Sequence, residues 1–230
     1  MQSNKRTARI AGFLYLIVVL TGIFSLAYVP SQINVSGDAA ATVRNLMAHE
    51  PLFRLGIVAG LICYTAFLLL PLALYRLLSP FGEQAAALMV AFAVASVPFS
   101  FAATLDKFHV LSLLSGADYL QAFSAQQLHA QVMLALQAFR DGLLVAQIFW
   151  GLWLLPFGYL VFKSGILPKV FGVLLMLGCF GYLVDFIGKV LLPGYLESGA
   201  AQYIRLPASI GEIGICLWLL VMGARESRKQ

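Results

Sequence analysis

The sequence predicts an all-α integral membrane protein, a bundle of six transmembrane helices in a single domain of residues 1–230. The first observation is composition: 61% of the residues are hydrophobic and 11% are charged, whereas a soluble domain carries about 25% charge. The second is that long apolar runs recur with basic residues at their ends. About twenty residues, at about 1.5 Å each, cross the roughly 30 Å hydrocarbon of a bilayer. The net charge of +5 therefore orients helices and does not indicate nucleic-acid binding.

Six apolar runs predict the spans, at about residues 10–29, 53–78, 84–105, 142–162, 170–192 and 204–223. Lys5, Arg6 and Arg9 precede the first run, which is longer than a signal-peptide core and lacks a clean cleavage site. We therefore expect a retained first span and a cytoplasmic N-terminus. A polar loop follows, with a short helix around residues 39–47.

Prolines and turn residues divide the later spans. Pro71 lies near the exit of the second span and predicts a kink, and the turn at residues 79–82 ends that span. The third span begins near Glu83. Pro156 predicts a break or bend in the fourth span, and the basic turn at residues 163–169 leads into the fifth.

The segment from residue 111 to residue 139 admits two interpretations. Its later part, extended to about residues 124–141, is amphipathic, with Leu128, Val132 and Leu136 on one face. It is either an interfacial helix or the outward extension of the fourth span.

Lysines and arginines at the span ends predict the orientation. Nine of them fall on the side assigned to the cytoplasm, at positions 5, 6, 9, 76, 163, 169, 225, 228 and 229. Six fall on the other side, at positions 44, 54, 107, 140, 189 and 205. Because short cytoplasmic loops carry the excess of basic residues, six spans with both termini in the cytoplasm are expected.

Two carboxylates are placed deep in the predicted bilayer. Glu212 lies thirteen residues from Arg225, about 20 Å, and Asp185 lies sixteen residues from Lys169, about 24 Å. A short acidic side chain at such depth must be protonated, paired or in a wet cavity. We expect an outward-facing polar pocket with Glu212 at its floor and Asp185 as a second, weaker candidate.

Other charges lie near the outer boundary, where long side chains reach the headgroups. That interpretation is preferred for Lys107, Lys189 and Arg205. Arg140 and Asp141 form a pair before the fourth span, which is either a helix-start pair that suits the helix dipole or part of the pocket.

Metal binding has weak support in the sequence. Asp106 and His109 share a helix face, and His129 and Asp141 follow on the same outer side. No HExxH or comparable signature is present, so these residues are weak metal candidates and no metal site is predicted. Cysteines at positions 63, 179 and 216 stand alone in apolar runs and are expected to be packing residues.

The chain resembles a bacterial family of multi-pass membrane proteins, the family named domain of unknown function 4386. The resemblance rests on the opening RTARIAGFLYLIVVLTGIFSL, the Arg140-Asp141 pair, the turn SGILPK at residues 164–169 and the ending LPASIGEIGICLWLLVMG at residues 206–223. It implies a multi-pass protein of the bacterial inner membrane without an established activity. It also points to Arg140, Asp141, Pro207 and Glu212 as matched positions. The third span departs from the family pattern, which leaves Asp106 and His109 without support from it.

Three functions are compatible with these observations. The favoured one is a binding or transport module for a small molecule or lipid, in which Arg140 holds an anionic group or Glu212, and the site set is Arg140, Asp141, Glu212, Asp185, Asp106 and His109. The alternatives are an accessory or sensor subunit that pairs with a protein partner or a second copy, and an intramembrane lipid-modifying enzyme, with or without a metal. The expected contacts include the lipid bilayer but no nucleic acid, and no cofactor is identified.

Overall fold

The computed structural model describes residues 2–195 and 199–225, and this part of the chain is helical without a β-strand. Its α-helices are α1 (Gln2–Ile23), α2 (Val29–Ile33), α3 (Ala39–Ala48), α4 (Glu50–Leu78), α5 (Glu83–Leu113), α6 (Ala125–Leu152), α7 (Leu154–Ser164), α8 (Lys169–Leu191), α9 (Ala200–Tyr203) and α10 (Leu206–Val221). A π-helical turn, Phe24–Tyr28, joins α1 to α2, and 3-10 turns occupy Ser79–Phe81 and Asp118–Ala122.

Five helical segments of the described chain are long and apolar enough to cross a membrane. They are residues 4–33, 50–81, 83–113, 125–164 and 169–191. The last helix, α10, is apolar but has 16 residues, about 24 Å of helix. The chain is thus an all-helical membrane protein whose apolar surfaces contact lipid. A sixth crossing and the cytoplasmic placement of both termini stay predictions.

The amphipathic stretch of uncertain placement is a continuous extension of the fourth span, and its outward direction stays a prediction. Helix α6 begins at Ala125 and continues without a break to Leu152. Ser124 and Gln127 cap it reciprocally: the Ser124 Oγ accepts from the Gln127 N–H at 3.3 Å, and the Gln127 Oε1 accepts from the Ser124 N–H at 2.8 Å. This capping box holds the helix start well ahead of the apolar run.

Proline 156 divides the fourth span as the sequence predicted. Because Pro156 has no N–H, it cannot donate to the carbonyl of Leu152, and α6 ends at that residue. Helix α7 then begins at Leu154. By contrast, Pro71 and Pro98 lie inside α4 and α5, which remain continuous α-helices.

The chain divides into two compact units. Unit 1 contains residues 1–16, 65–97 and 144–230, and unit 2 contains residues 17–64 and 98–143. Unit 2 has its own apolar core, formed by Val29, Ile33, Val43, Leu46, Phe53, Ile57, Val110, Val132, Ala135 and Leu136. The single-domain assignment stays a prediction.

Glycines allow helices of unit 1 to approach closely. A Cβ atom on Gly158 of α7 would lie 2.6 Å from the Gly172 carbonyl oxygen of α8, and one on Gly178 of α8 would lie 2.7 Å from the Ala208 Cα of α10. Likewise, a Cβ on Gly12 of α1 would lie 2.5 Å from the backbone nitrogen of Leu220 in α10. Small residues at these positions let α10 pack against both α1 and α8.

One end of unit 1 gathers several helix termini. The Arg225 N–H donates to the Ile166 carbonyl at 2.9 Å, which ties the end of the chain to the turn between α7 and α8. A Cβ on Gly223 would lie 3.6 Å from the Lys5 carbonyl oxygen, so the start of α1 lies at the same end. We call this region the basic end of unit 1.

Candidate functional site

A buried ion cluster lies in unit 1 around Asp185 of α8. Asp185 is 1% exposed, and its Oδ2 accepts a hydrogen bond from Lys189 Nζ at 2.7 Å and from Gln147 Nε2 at 2.8 Å. Arg205 Nη1 lies 3.8 Å from the same oxygen. Lys189 follows Asp185 by four residues, so one turn of α8 places both on the same face. Two cations and an amide therefore compensate the buried carboxylate.

Arg205 connects this cluster to a second carboxylate. It immediately precedes α10, and its guanidinium carbon lies 4.4 Å from the centre of the Tyr182 ring. Its Nη2 donates to the Tyr182 hydroxyl at 3.2 Å. That hydroxyl also hydrogen-bonds to Glu212, and Arg205 contributes favourable electrostatics to the Glu212 carboxylate. Arg205 thus lies between Asp185 on one side and the Tyr182–Glu212 pair on the other.

The Glu212 carboxylate accepts hydrogen bonds from tyrosine hydroxyl groups. Its Oε1 accepts from the Tyr15 hydroxyl of α1 at 3.1 Å, and Tyr15 is 1% exposed. Within the described part of the chain, no cation lies at ion-pair distance from Glu212. The two carboxylates therefore differ. Asp185 is paired with two cations, whereas Glu212 accepts from hydroxyl donors and interacts with Arg205 only at longer range.

A group of aromatic side chains packs around Tyr15. The Tyr15 and Trp153 ring centres are 6.1 Å apart, and Trp153 stacks on Phe157 at 5.1 Å. Phe67 meets the same indole edge-on at 5.1 Å. These side chains surround Tyr15 with apolar surface, which strengthens its hydrogen bond to Glu212 because little water competes for it.

Tyr195 lies beside the ion cluster. Its ring packs so closely on Gly188 that a Cβ there would lie 2.5 Å from the Tyr195 Cε2. Burial and the neighbouring Asp185 carboxylate both raise the pKa of the Tyr195 phenol, because each disfavours the phenolate. Tyr195 therefore remains a neutral hydroxyl group beside Asp185.

The four charges of this site sum to zero: Asp185 and Glu212 against Lys189 and Arg205. The side chains of Lys189 and Arg205 are 25% and 38% exposed, so both cations are reachable from outside the protein. Asp185 is not. We call these four residues, with Tyr15, Tyr182 and Gln147, the neutral cluster.

Arg140 and Asp141 lie elsewhere, in unit 2, and both are exposed. Arg140 donates to Gln137 Oε1 from Nε at 3.1 Å and from Nη2 at 2.6 Å, and Gln137 Nε2 donates to Asp141 Oδ1 at 2.7 Å. The helix-start interpretation is wrong, because α6 begins at Ala125. Within unit 1 the arginine that acts electrostatically on Glu212 is Arg205, and the predicted pairing of Arg140 with Glu212 stays a prediction.

The outer histidines do not assemble a metal site in the described residues. His109 Nδ1 lies 3.4 Å from Asp106 Oδ1, and the His109 side chain is 69% exposed. Among the residues that the structure describes, no three of His, Cys, Asp and Glu come together as ligands, so neither His129 nor Asp141 completes such a group. Asp106 and His109 form an isolated pair on α5.

The expectation that Lys107 reaches the headgroups is wrong. Lys107 is 4% exposed, and its Nζ lies 4.1 Å from the centre of the Phe139 ring. The aromatic face attracts the ammonium group and compensates part of the water it loses on burial. Lys189 and Arg205 both contact the buried Asp185 while their side chains stay 25% and 38% exposed, so the expectation that these two reach the headgroups stays a prediction.

Sequence reasoning missed Tyr15, Tyr182 and the role of Arg205. A signal for part of the cluster was available, because Asp185 and Lys189 have the spacing of a helical ion pair. Gln147 was the one polar side chain inside the fourth span, and it does bond to Asp185. Tyr15 carries no such signal, because its partner Glu212 lies 197 positions away in the sequence.

Comparison with known proteins gives a family and one distant relative. The family model described as Domain of unknown function (DUF4386) matches residues 10–223. An uncharacterized protein of Archaeoglobus fulgidus is 35% identical over 92 residues, which is 40% of this chain and 52% of that protein. The chain thus matches about half the length of this curated relative. No solved structure matches the chain.

Proposed function

We propose a function from the premise that this chain belongs to the family Domain of unknown function (DUF4386): it is a membrane module that binds a small anion together with a proton. The anion binds at Arg205, and the proton binds at Glu212. The module crosses the membrane six times with both termini in the cytoplasm of a bacterial cell, so that Arg205 faces outward.

The charge balance of the neutral cluster carries this proposal. Protonation of Glu212 removes one negative charge and leaves Asp185 against two cations, Lys189 and Arg205. In surroundings of low dielectric constant an uncompensated positive charge is costly, and an anion that reaches Arg205 restores neutrality. Binding of the proton and binding of the anion therefore favour each other, because either one alone leaves the cluster with a net charge.

The geometry supports Arg205 as the anion-binding group. Its side chain is 38% exposed, whereas the Asp185 that orients it is 1% exposed. Its planar guanidinium lies against the Tyr182 ring, which fixes its direction. A guanidinium held in this way presents its free N–H groups to a carboxylate, sulfonate or phosphate.

The role of Glu212 follows from its donors. Tyr15 and Tyr182 supply hydroxyl groups, which can bond either to a carboxylate or to a carboxylic acid after the hydroxyl hydrogens rotate. A lysine or arginine at ion-pair distance would instead hold the group ionised. Glu212 is thus the member of the cluster that changes its protonation with least rearrangement.

The test uses triflate, an anion that stays charged at every pH of interest, and measures its binding by fluorine NMR on protein in nanodiscs. We expect tighter binding in acidic than in mildly alkaline buffer. Glu212→Gln, which resembles the protonated acid, should bind triflate equally at both values, and Arg205→Gln should not bind it. Glu83→Gln removes the same charge from an exposed position and should behave like the wild-type protein.

Two results would refute the proposal. One is triflate binding that does not depend on pH in the wild-type protein. The other is a pH dependence that persists in Glu212→Gln while the variant keeps its helical circular dichroism. A cluster with a purely structural role would lose stability in these variants without showing either triflate response.

A further inference from the structure

A groove lies along the first turns of α1, at the basic end of unit 1 and apart from the neutral cluster. It encloses about 620 Å³ and is lined by Lys5, Arg6, Arg9, Ile10, Phe13 and Leu14. The basic residues come first in the helix and the apolar residues follow. From Lys5 to Phe13 the axis advances by about 12 Å, so the groove is cationic at one end and apolar at the other.

In the part of the chain that the structure describes, the three basic residues of the groove lack the aromatic partners that other basic residues at this end of unit 1 have. Lys163 lies over the Tyr159 ring at 5.4 Å, Lys169 over Phe162 at 5.2 Å, and the Arg225 guanidinium over Trp218 at 5.3 Å. No such ring and no carboxylate at ion-pair distance accompanies the three groove cations in the described residues. They form a concentration of positive charge that a phosphate would neutralise.

The apolar part of the groove is open to the membrane. Ile10 is 49% exposed and Phe13 is 57% exposed, although both belong to a helix whose opposite face is buried through Ala8, Ala11 and Tyr15. Exposed apolar side chains next to basic ones match the arrangement of acyl chains and an anionic headgroup in a phospholipid. The phosphate of such a lipid lies at the membrane surface and its acyl chains point inward.

We propose that this groove binds one anionic phospholipid from the bilayer. Lys5, Arg6 and Arg9 hold the phosphate and the anionic headgroup, and an acyl chain lies along Ile10 and Phe13. A free phosphate would satisfy the cations but would leave the apolar part of the groove uncovered. The site is independent of the anion proposed for Arg205, because it uses other residues and a different ligand.

The experiment is native mass spectrometry of protein released from nanodiscs that contain equal amounts of phosphatidylglycerol and phosphatidylcholine. The wild-type protein should retain one phosphatidylglycerol in preference to phosphatidylcholine. In the triple variant Lys5→Gln, Arg6→Gln, Arg9→Gln this preference should fall at least about tenfold, since each basic residue near an anionic surface contributes about fivefold in affinity.

A matched control separates the groove from overall charge. The variant Lys163→Gln, Lys169→Gln, Arg225→Gln loses the same number of charges from the same end of the unit and should keep the preference for phosphatidylglycerol.

Because removal of N-terminal cations can disturb membrane insertion, a second variant leaves the charges intact. Ile10→Ser with Phe13→Ser should weaken retention of phosphatidylglycerol several-fold.

Three outcomes would overturn the proposal: equal retention of the two lipids by the wild-type protein, an equal loss of preference in both triple variants, or unchanged retention in the double serine variant. Inorganic phosphate distinguishes the source of the ligand. If phosphate at millimolar concentration displaces the lipid completely, the groove is an anion site without lipid specificity and the proposal fails.

Discussion

The Tyr15 hydroxyl donates a hydrogen bond of 3.1 Å to Glu212, a residue 197 positions later in the chain. The bond joins the middle of α1 to the middle of α10. Gly12, one turn before Tyr15, allows the two helices to approach until a Cβ would touch the backbone of Leu220. A hydroxyl donor on the neighbouring helix therefore stabilises the Glu212 carboxylate directly.

Removal of this donor should destabilise unit 1. Tyr15→Phe keeps the aromatic packing on Trp153 but removes the hydroxyl group from Glu212. We expect a loss of about 1.5 to 3 kcal/mol in the free energy of unfolding, the range for hydrogen bonds to charged groups. Unfolding in mixed micelles measures it. Tyr203→Phe, at a position that is 65% exposed, is the control and should change little.

The buried pair of Asp185 and Lys189 should be strongly coupled. Asp185→Asn leaves two cations without their carboxylate and should cost about 3 to 5 kcal/mol, as for other broken buried pairs. In combination with Lys189→Gln, the double variant should be more stable than the sum of the single effects by about 1 to 3 kcal/mol. Additive effects in the same unfolding assay would show that the 2.7 Å contact contributes no coupling.

A side chain added at the point where α7 crosses α8 should destabilise the protein. Gly158→Ala places a Cβ 2.6 Å from the Gly172 carbonyl oxygen, and backbone atoms cannot move aside as a side chain can. We expect destabilisation by about 1 to 3 kcal/mol. At Gly22 a Cβ would meet the Cys63 sulfur at 3.4 Å, so Gly22→Ala should stay within about 0.5 kcal/mol of the wild-type protein. Equal effects would contradict the packing argument.

The six-span topology can be tested by cysteine labelling in intact cells. Ser36 and Glu83 are exposed, and the predicted second span, residues 53–78, separates them along the chain. Ser36→Cys should react with a membrane-impermeant maleimide from outside, whereas Glu83→Cys should react only after the membrane is permeabilised. The native cysteines are at most 6% exposed and provide an unreactive background. Labelling of both positions from the same side would disprove the assigned topology.

Much of the architecture was predictable because apolar length and periodicity are local properties. The runs at residues 53–78 and 170–192 became α4 and α8 within a few residues. Pro156 predicted the break between α6 and α7, since a missing N–H acts on the residue four positions earlier. The family also followed from the sequence, and the match over residues 10–223 confirms it.

The composition of the candidate site was less predictable. Depth counted along single helices predicted that Glu212 and Asp185 need partners, and the structure gives both carboxylates hydrogen-bond donors. The depth count did not identify Arg205 as the arginine beside Asp185, because a count along one helix contains no information about the residues that neighbouring helices contribute.

By itself, then, the sequence determined that this chain is helical and lies in a membrane, and it predicted two carboxylates that need partners. The tertiary structure decided which groups accompany them: Arg205 and Lys189 at Asp185, Tyr15 and Tyr182 at Glu212. The physical reason is that the cost of burying a charge acts on a single residue and is visible in the sequence. Its compensation comes from neighbours on other helices, and helix packing brings these together from positions as far apart as 15 and 212.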